Sequence, residues 1–255
     1  MMKANIQLHT SSHYRAHLFK TGFQRLGYQP IDDRNHQPDA TDVLLIWNRN
    51  PSHARIAQRY EEAGATVLVT ENGYVGKTKA IARTHHSGAG TWYVGEEDRW
   101  KALGIPLFPW RLDGEHLLVL PQRGIGAPDV AMPRHWPNTI VERLRAITRR
   151  PIRTRLHPGT DKSGPTLEDD LRNAWAAVVW GSGAGVKAII AGIPVFHDLV
   201  SWIGAPAASC VFDVEDPWIG DRLPMLRRMA WAQWTHAEIE SGEAMRRLLE
   251  PEWRL

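Results

Sequence analysis

Short apolar runs of β-forming residues alternate with helical stretches along this chain, and that alternation limits the folds open to it. Several runs are continuously apolar, which is typical of parallel strands buried on both faces. The expected strands of the first half are Ala4–His9, Asp42–Asn48, Thr66–Thr70 and Thr91–Val94. The pattern restarts near residue 115, with expected strands at His116–Leu120, Ile152–Leu156, Ala177–Trp180, Pro194–Phe196 and Ser209–Asp213. The expected helices include residues 51–64, residues 166–176, which begin with a capping signature of Thr166 and Asp169, and two helices within residues 221–249. We therefore predict an α/β protein of two Rossmann-like parallel-sheet domains, residues 1–113 and 114–255.

The amino-acid composition limits the cellular compartments and the binding partners that we expect for this chain. The single cysteine, Cys210, excludes an internal disulfide and fits a reducing, cytoplasmic compartment. The N-terminus lacks the apolar core of a secretory signal, and no apolar stretch approaches the length of a bilayer, so we expect no membrane span. A formal charge of +3, mostly arginine, permits a phosphate-rich partner without establishing one. Twelve histidines occur without any CxxC pair, so we predict no bound metal.

A glycine-rich segment between an expected strand and an expected helix is the strongest local signal. It reads Trp180-Gly-Ser-Gly-Ala-Gly-Val-Lys187. Glycines let a ligand approach the backbone, and a helix N-terminus offers free N–H groups to an anion. The segment matches neither the dinucleotide-binding GxGxxG spacing nor the P-loop GxxxxGK[ST]. It predicts phosphate or sugar binding, against the alternative of a tight turn with no ligand.

Two further loops follow expected strands of the same half. In open parallel sheets ligands bind beyond the carboxyl ends of the strands, so these loops are expected near the glycine-rich segment. A histidine there can donate to a phosphate oxygen or act in acid–base chemistry, and arginine can clamp a phosphate. Structural roles remain open for both loops. The residues concerned are Gln122, Arg123 and Gly124 in one loop, and His157, Pro158 and Gly159 in the other.

Three residues are candidates for a general base. Glu71 directly follows an expected buried strand, where the pKa of a carboxylate can be raised, and a turn or capping role is the alternative. His85 lies in a histidine- and glycine-containing segment, where acid–base, metal-binding and plain loop roles are all open. Asp113 precedes the first strand of the second half and is the third candidate.

The second half resembles the capsule-polysaccharide and Kdo/sialyl-type glycosyltransferases. The resemblance covers roughly residues 116–198 and rests on four motifs in a fixed order. The first two are a strand followed by Pro-Gln and a strand followed by His-Pro. The last two are the segments Leu-Glu-Asp-Asp-Leu-Arg-Asn-Ala-Trp and Val-Val-Trp-Gly-Ser-Gly-Ala-Gly-Val-Lys-Ala-Ile-Ile-Ala-Gly-Ile-Pro-Val-Phe. It implies a GT-B fold, in which two Rossmann-like domains face each other across a cleft and the C-terminal domain binds a nucleotide-sugar co-substrate.

The resemblance also assigns site residues. It implies that His157, Ser182, Gly183 and Ala184 contact the donor phosphates, with Gly185 in the same loop. The family carries a ribose-binding glutamate where this chain has Lys187, which leaves the donor's identity open. The implied reaction is metal-independent transfer of a sugar to a hydroxyl acceptor.

The acceptor and the class of protein remain open. A glycan, a lipid-linked sugar and a hydroxymethylated DNA base, as in small phage-type enzymes, are all compatible acceptors. The alternative functions are a non-catalytic nucleotide- or nucleic-acid-binding module with a degenerate GT-B fold, and another enzyme on a Rossmann-like scaffold, such as an epimerase. The missing P-loop argues against a kinase.

Overall fold

A computed structural model of the chain describes residues 1–83, 98–126, 130–159 and 163–250. Its strands, in chain order, are β1 Lys3–Gln7, β2 Gln29–Ile31, β3 Val43–Trp47, β4 Thr66–Asn72, β5 Thr78–Arg83, β6 His116–Leu120, β7 Ile152–Thr154, β8 Ala174–Val179, β9 Val195–His197, β10 Ser209–Cys210 and β11 Gln233–Thr235. Its α-helices are α1 Ala16–Arg25, α2 Pro51–Glu62, α3 Arg99–Ala102, α4 Trp136–Ile147, α5 Leu167–Leu171, α6 Gly183–Ile190, α7 Leu223–Ala230, α8 His236–Ser241 and α9 Glu243–Leu249.

The chain divides into two compact units. Unit 1 comprises Met1–Glu97, Gly126–Pro128 and Arg228–Leu255, and unit 2 comprises Asp98–Ile125 and Asp129–Arg227. Each unit contains one twisted sheet, so the predicted α/β class with two Rossmann-like sheets is confirmed. The division differs from the predicted boundary at residue 113 mainly in two ways: residues 98–113 belong to unit 2, and the C-terminal segment from Arg228 belongs to unit 1. The predicted strand Thr91–Val94 lies outside the described residues.

Unit 1 is built on a six-stranded sheet with the order β11-β5-β4-β3-β1-β2. The pairs among β4, β3, β1 and β2 are parallel, whereas β5 runs antiparallel to both β4 and β11. Strand β3 is buried on both faces, as its apolar run predicts. Leu44 and Ile46 pack against α2 on one face, and Val43 and Leu45 pack in the core that includes Phe19 of α1 on the other.

The C-terminal segment completes the sheet of unit 1. Two helices were predicted between residues 221 and 249, but β11 interrupts them and pairs with β5. The N–H of Ile81 also donates to the carbonyl of Ala232 at 3.1 Å. Trp234 of β11 is fully buried in the core of unit 1. A Cβ on Gly22 of α1 would clash with the carbonyl oxygen of Ile239, so α1 and α8 are in backbone contact.

Unit 2 is built on a five-stranded parallel sheet with the order β10-β9-β8-β6-β7. Its hydrophobic core packs α4 against β6, β8 and β9. Helix α5 begins with a capping box between Thr166 and Asp169, as the sequence indicated, but it ends at Leu171 rather than at Ala176. Residues Ala174–Val179 instead form one strand that is buried throughout and paired with β6. The predicted strand Ser209–Asp213 is shortened to Ser209–Cys210 by a 3-10 turn over Val211–Asp213.

Among the residues that the structure describes, no helix is both long enough and apolar enough to cross a bilayer. Within the same residues, no group of three or more histidine, cysteine or carboxylate side chains is arranged to hold a metal ion.

Candidate functional site

The strand order of unit 2 creates one topological switch point. From β6 the chain passes through α4 to β7 on one side of β6, and it then returns through α5 to β8 on the other side. The connections that leave the neighbouring strands β6 and β8 therefore diverge at their carboxyl ends. This arrangement opens the crevice in which ligands of open α/β sheets bind. The loops that meet there are 121–124 and 180–182, two of the three loops that the sequence indicated.

Gln122 links these two loops across the switch point. Its Nε2 donates to the carbonyl oxygen of Gly181 at 3.3 Å, and its backbone N–H donates to the sulfur of Met132 at 3.2 Å. Its Oε1 is buried and has no hydrogen-bond partner within the described part of the chain. Buried polar atoms are rarely left unpaired, so this amide oxygen is available to a donor group on a ligand.

Ser182 lies at the N-terminus of α6, and its hydroxyl is buried there. The residue is 9% exposed, and its backbone is extended, with φ −101° and ψ 160°. Its Oγ does not cap the helix, although serine at this position usually does, and it has no partner among the described residues. The first turn of α6 holds no acidic residue. A buried hydroxyl, the free N–H groups of Gly183 and Ala184, and the positive end of the helix dipole together suit an anion.

Two glycines of this segment, Gly181 and Gly185, have a packing role that the sequence did not reveal. A Cβ on Gly185 would lie 2.7 Å from Cζ2 of Trp202, and a Cβ on Gly181 would lie 2.8 Å from Cδ2 of Leu199. Trp202 itself is 1% exposed. Gly185 was predicted to contact the donor, but close packing against this indole already explains why a glycine is needed there.

His157 follows β7 and has a defined tautomer in its neutral form. Its Nδ1 accepts a hydrogen bond from the N–H of Gly159 at 3.0 Å, so the proton is on Nε2 and can be donated to a ligand. Gly159 has φ +61°, in the left-handed region that favours glycine, which explains the turn formed by Pro158 and Gly159. Burial, followed by the positive charges of Arg123 and Arg155, lowers the pKa of His157 below its ordinary value.

The two arginines near His157 differ in their surroundings. Arg155 forms an ion pair with Asp170 at 3.0 Å, whereas the side chain of Arg123 is exposed. Gly124 has φ +64°, and a Cβ there would lie 2.9 Å from the carbonyl oxygen of Met132. The turn after Arg123 therefore needs glycine. Arg123 remains the more available of the two arginines for a phosphate.

A polar pocket of about 370 Å³ lies beside β6 and β7, next to α5. Its lining includes Arg153, Arg155, Asp170 and His116. His116 is 2% exposed and its Nδ1 has no partner in the described part of the chain. Burial, and to a lesser extent the charge of Arg153, lowers the pKa of His116. Sequence reasoning treated His116 only as the first residue of a strand, because burial is not visible in a single residue's identity.

The carboxyl edge of the sheet in unit 1 holds a second polar cluster, which the sequence did not indicate. Nζ of Lys79 donates to the carbonyl oxygen of His13 and to Oδ1 of Asn72, each at 3.0 Å, and lies 4.8 Å from the ring centroid of Trp47. Nδ2 of Asn72 lies 3.2 Å from Nε2 of His13. Strand β5, which carries Lys79, was not predicted, and so the burial of this lysine could not be foreseen.

The fold resembles that of two solved Kdo transferases. The KpsC beta Kdo 2,7 transferase of Thermosulfurimonas dismutans aligns with a TM-score of 0.61 and 13% identity, over 97% of this chain and 100% of that one. The KpsC beta Kdo 2,4 transferase of the same organism aligns with a TM-score of 0.58 and 10% identity, over 89% of this chain and 90% of that one. No protein-family model matches the sequence, and no curated protein matches it. At these identities the likeness establishes the fold.

Two of the three candidate bases lie among the described residues, one in each unit. Glu71 is part of β4 in unit 1, where it pairs with Ala80 of β5. Residues alternate across a strand, so Glu71 lies on the α2 face with Val69, opposite the face that carries Asn72. Asp113 precedes β6 at the amino edge of its sheet, about 16 Å along the strand from the loop after β6, and its carboxylate is 3.7 Å from Nε of Arg111. His85 lies outside the described residues.

Proposed function

We propose that this chain is a glycosyltransferase and that its nucleotide-sugar donor binds through its phosphate groups at the switch point of unit 2. The observation that carries the proposal is the buried hydroxyl of Ser182, which has no partner among the described residues and lies at the N-terminus of α6. The unpaired Oε1 of Gln122 in the neighbouring loop supports it. Further hydrogen-bond donors are the Nε2–H of His157, which follows β7, and the exposed guanidinium of Arg123, which follows β6. The likeness in fold to two Kdo transferases is consistent with this reading.

The proposed reaction is a displacement at the anomeric carbon of the donor. An acceptor hydroxyl attacks that carbon, the bond from the carbon to the phosphate oxygen breaks, and the nucleotide leaves with an added negative charge. The N–H groups of Gly183 and Ala184, the hydroxyl of Ser182, His157 and Arg123 would stabilise that charge, so the proposal requires no metal. Glu71 stays a candidate for the base that takes the acceptor's proton.

Nucleotide binding with matched variants tests the donor site. Purified protein is titrated with UDP, CMP, GDP and dTDP, each with and without EDTA, and stabilisation is followed as a thermal shift. We expect one nucleotide to bind independently of EDTA. Ser182→Ala should weaken that binding at least about tenfold, or ~1.4 kcal/mol, without lowering stability, because the hydroxyl it removes has no partner to lose.

His157→Ala should also weaken binding, whereas His135→Ala is the control, since His135 is an exposed histidine of unit 2 that caps α4 with no side-chain hydrogen bond. Equal nucleotide affinity in the wild type, Ser182→Ala and His157→Ala would rule out this donor site. So would the absence of stabilisation by every nucleotide.

The lysine at position 187 is the reason to test, in the same assay, the alternative of a non-catalytic binding module. This residue is exposed on α6, where the resemblance implies a ribose-binding glutamate. Slow hydrolysis of the bound nucleotide-sugar without acceptor would support an enzyme, and tight binding without turnover would favour a binding module. The acceptor class is tested by adding either neutral glycans or hydroxymethylated duplex DNA and measuring sugar transfer. Binding of DNA should weaken steeply with salt, whereas binding of a neutral glycan should not.

A further inference from the structure

The polar cluster in unit 1 is built around a lysine that is almost completely buried. Lys79 is 4% exposed, and it lies on the face of the sheet that packs against α1, with Ile81 two residues along β5. Its ammonium carries three N–H donors, of which two reach the carbonyl of His13 and the amide oxygen of Asn72. Both acceptors are neutral. The Trp47 ring, 4.8 Å away, offers a π face but no negative charge.

The charge of Lys79 is not balanced within the described residues. No carboxylate among them forms an ion pair with its ammonium, and the charged group that acts on it is Arg15, another cation. The groups that act on His236, at the start of α8, are Arg15, Lys79, His17 and Lys77, all of which are basic. Glu71, on the neighbouring strand, lies on the other face of the sheet. Buried charges are normally paired, so an unpaired ammonium inside a basic cluster points to a missing anion.

The start of α1 adds donors at the same edge of the sheet. Helix α1 has ten residues, no side-chain cap and no acidic residue in its first turn. Its N-cap is Arg15, held at φ 56°. The loop that leads into α1 contains His13, whose carbonyl Lys79 binds. The helix dipole, Arg15 and Lys79 therefore contribute positive potential to the same end of unit 1.

We propose that this cluster is a binding site for one oxyanion, a carboxylate or a phosphate group, with the ammonium of Lys79 as its counter-ion. All its residues belong to unit 1, so the site stands independently of the donor site in unit 2. Identifying the ligand as the acceptor of a transfer reaction rests on the proposed function. A single lysine suits one compact anionic group, because lysine acts as a point charge without the fork of arginine.

A purely structural role for Lys79 would be to hold the loop before α1 through the carbonyl of His13. Two variants separate this role from anion binding. Asn72→Asp keeps an acceptor beside Nζ but supplies an internal carboxylate, which would occupy the charge that the ligand needs. Lys79→Met removes the charge altogether. Lys20→Met is the control, since Lys20 is an exposed lysine on α1.

The test titrates inorganic phosphate, acetate and glucuronate into the full-length protein at constant ionic strength, with neutral glucose as the comparison. Binding is followed by NMR of the His13 ring and the Lys79 side chain, with ligand up to about 50 mM, so that dissociation constants in the millimolar range can be measured. Acetate and phosphate separate a carboxylate preference from a phosphate preference. We expect saturable binding of at least one anion, weakened at least about tenfold in both Asn72→Asp and Lys79→Met and unchanged in Lys20→Met.

Weaker binding above about pH 8, where Lys79 loses its proton, is also expected. Unchanged affinity in Asn72→Asp would assign Lys79 the structural role and overturn the proposal. No saturable response to any of the three anions would also overturn it, and so would equal binding of glucose and glucuronate. Nucleotide binding that depends on Ser182 would survive each of these results, so the two proposals fail separately.

Discussion

The ammonium of Lys79 has no counter-ion among the described residues, and this gives a prediction about stability that needs no ligand. Burial, and to a lesser extent the charge of Arg15, lowers the pKa of Lys79 from 10.5 to about 8. Between these values the unfolded chain binds a proton that the folded chain does not. The contribution of Lys79 to the free energy of unfolding therefore rises as the pH rises from about 8 to about 10.5. Below pH 8 the charged lysine destabilises the folded state by a nearly constant amount.

The size of the effect follows from the two pKa values of Lys79. A difference between 10.5 and about 8 corresponds to about 3 kcal/mol of destabilisation at pH 7, since each pKa unit is worth about 1.4 kcal/mol. At pH 9.5 the folded form is almost fully neutral, and about 1.4 kcal/mol remains. The protein should therefore gain about 2 kcal/mol from Lys79 between pH 7 and pH 9.5.

Urea denaturation at several pH values measures this gain. The wild type, Lys79→Met and the exposed-lysine control Lys20→Met are compared, because subtracting one profile from another removes the titration of all other groups. We expect the wild type and Lys20→Met to share one pH profile and Lys79→Met to lack the rise of about 2 kcal/mol. Parallel profiles for the wild type and Lys79→Met would refute the claim that this lysine is buried without a counter-ion.

Three further predictions test the packing and the donor site. Gly22→Ala should lower the free energy of unfolding by about 1–3 kcal/mol in a denaturation experiment, because its methyl group would clash with the carbonyl of Ile239; an unchanged midpoint would mean that α1 and α8 are not in backbone contact. Gly185→Ala should lower the free energy of unfolding by a similar amount, about 1–3 kcal/mol, since the added Cβ would lie 2.7 Å from Cζ2 of Trp202. Nucleotide titration of the folded protein would show whether this variant also binds nucleotide more weakly. Burial and the neighbouring arginines hold the pKa of His157 below its ordinary value, and the protonated ring would add a positive charge beside the phosphates, so nucleotide affinity should increase as the pH falls through that lowered value. His157→Ala should lose this part of the calorimetric pH profile, and identical profiles for the wild type and His157→Ala would show that protonation of His157 does not contribute to binding.

Elements coded by local patterns could be predicted from the sequence. Strand β3 was evident because five consecutive apolar residues must be buried on both faces. Helix α2 was evident because Pro51 can begin a helix and Gly64 can end one. In the structure Asn50 also caps it, by accepting from the N–H groups of Ser52 and His53. The position of the glycine-rich loop after β8 was also correct, because strand, turn and helix signals follow one another there.

Features that depend on distant partners could not be predicted. Strand β5 contains the charged residues Lys79 and Arg83, so it has no continuous apolar run, and its pairing with β11 joins residues more than a hundred positions apart. Because this pairing could not be predicted, the burial of Lys79, the central residue of the proposed oxyanion site, could not be predicted either. In unit 2, the high glycine content of the loop after β8 was interpreted as leaving space for a ligand. Contacts of Gly181 and Gly185 with Leu199 and Trp202 explain part of it.

The return of the C-terminal segment to the first sheet makes unit 1 discontinuous in sequence, and this sets the order in which the chain can be completed during synthesis. Unit 2 ends at Arg227, so all its strands have been synthesised before β11 is made. Until then β5 is an edge strand with unpaired backbone groups, and the core of unit 1 lacks Trp234. A stop codon or proteolytic cut just after α7 would therefore leave unit 2 with all its strands while exposing the edge of β5 to aggregation.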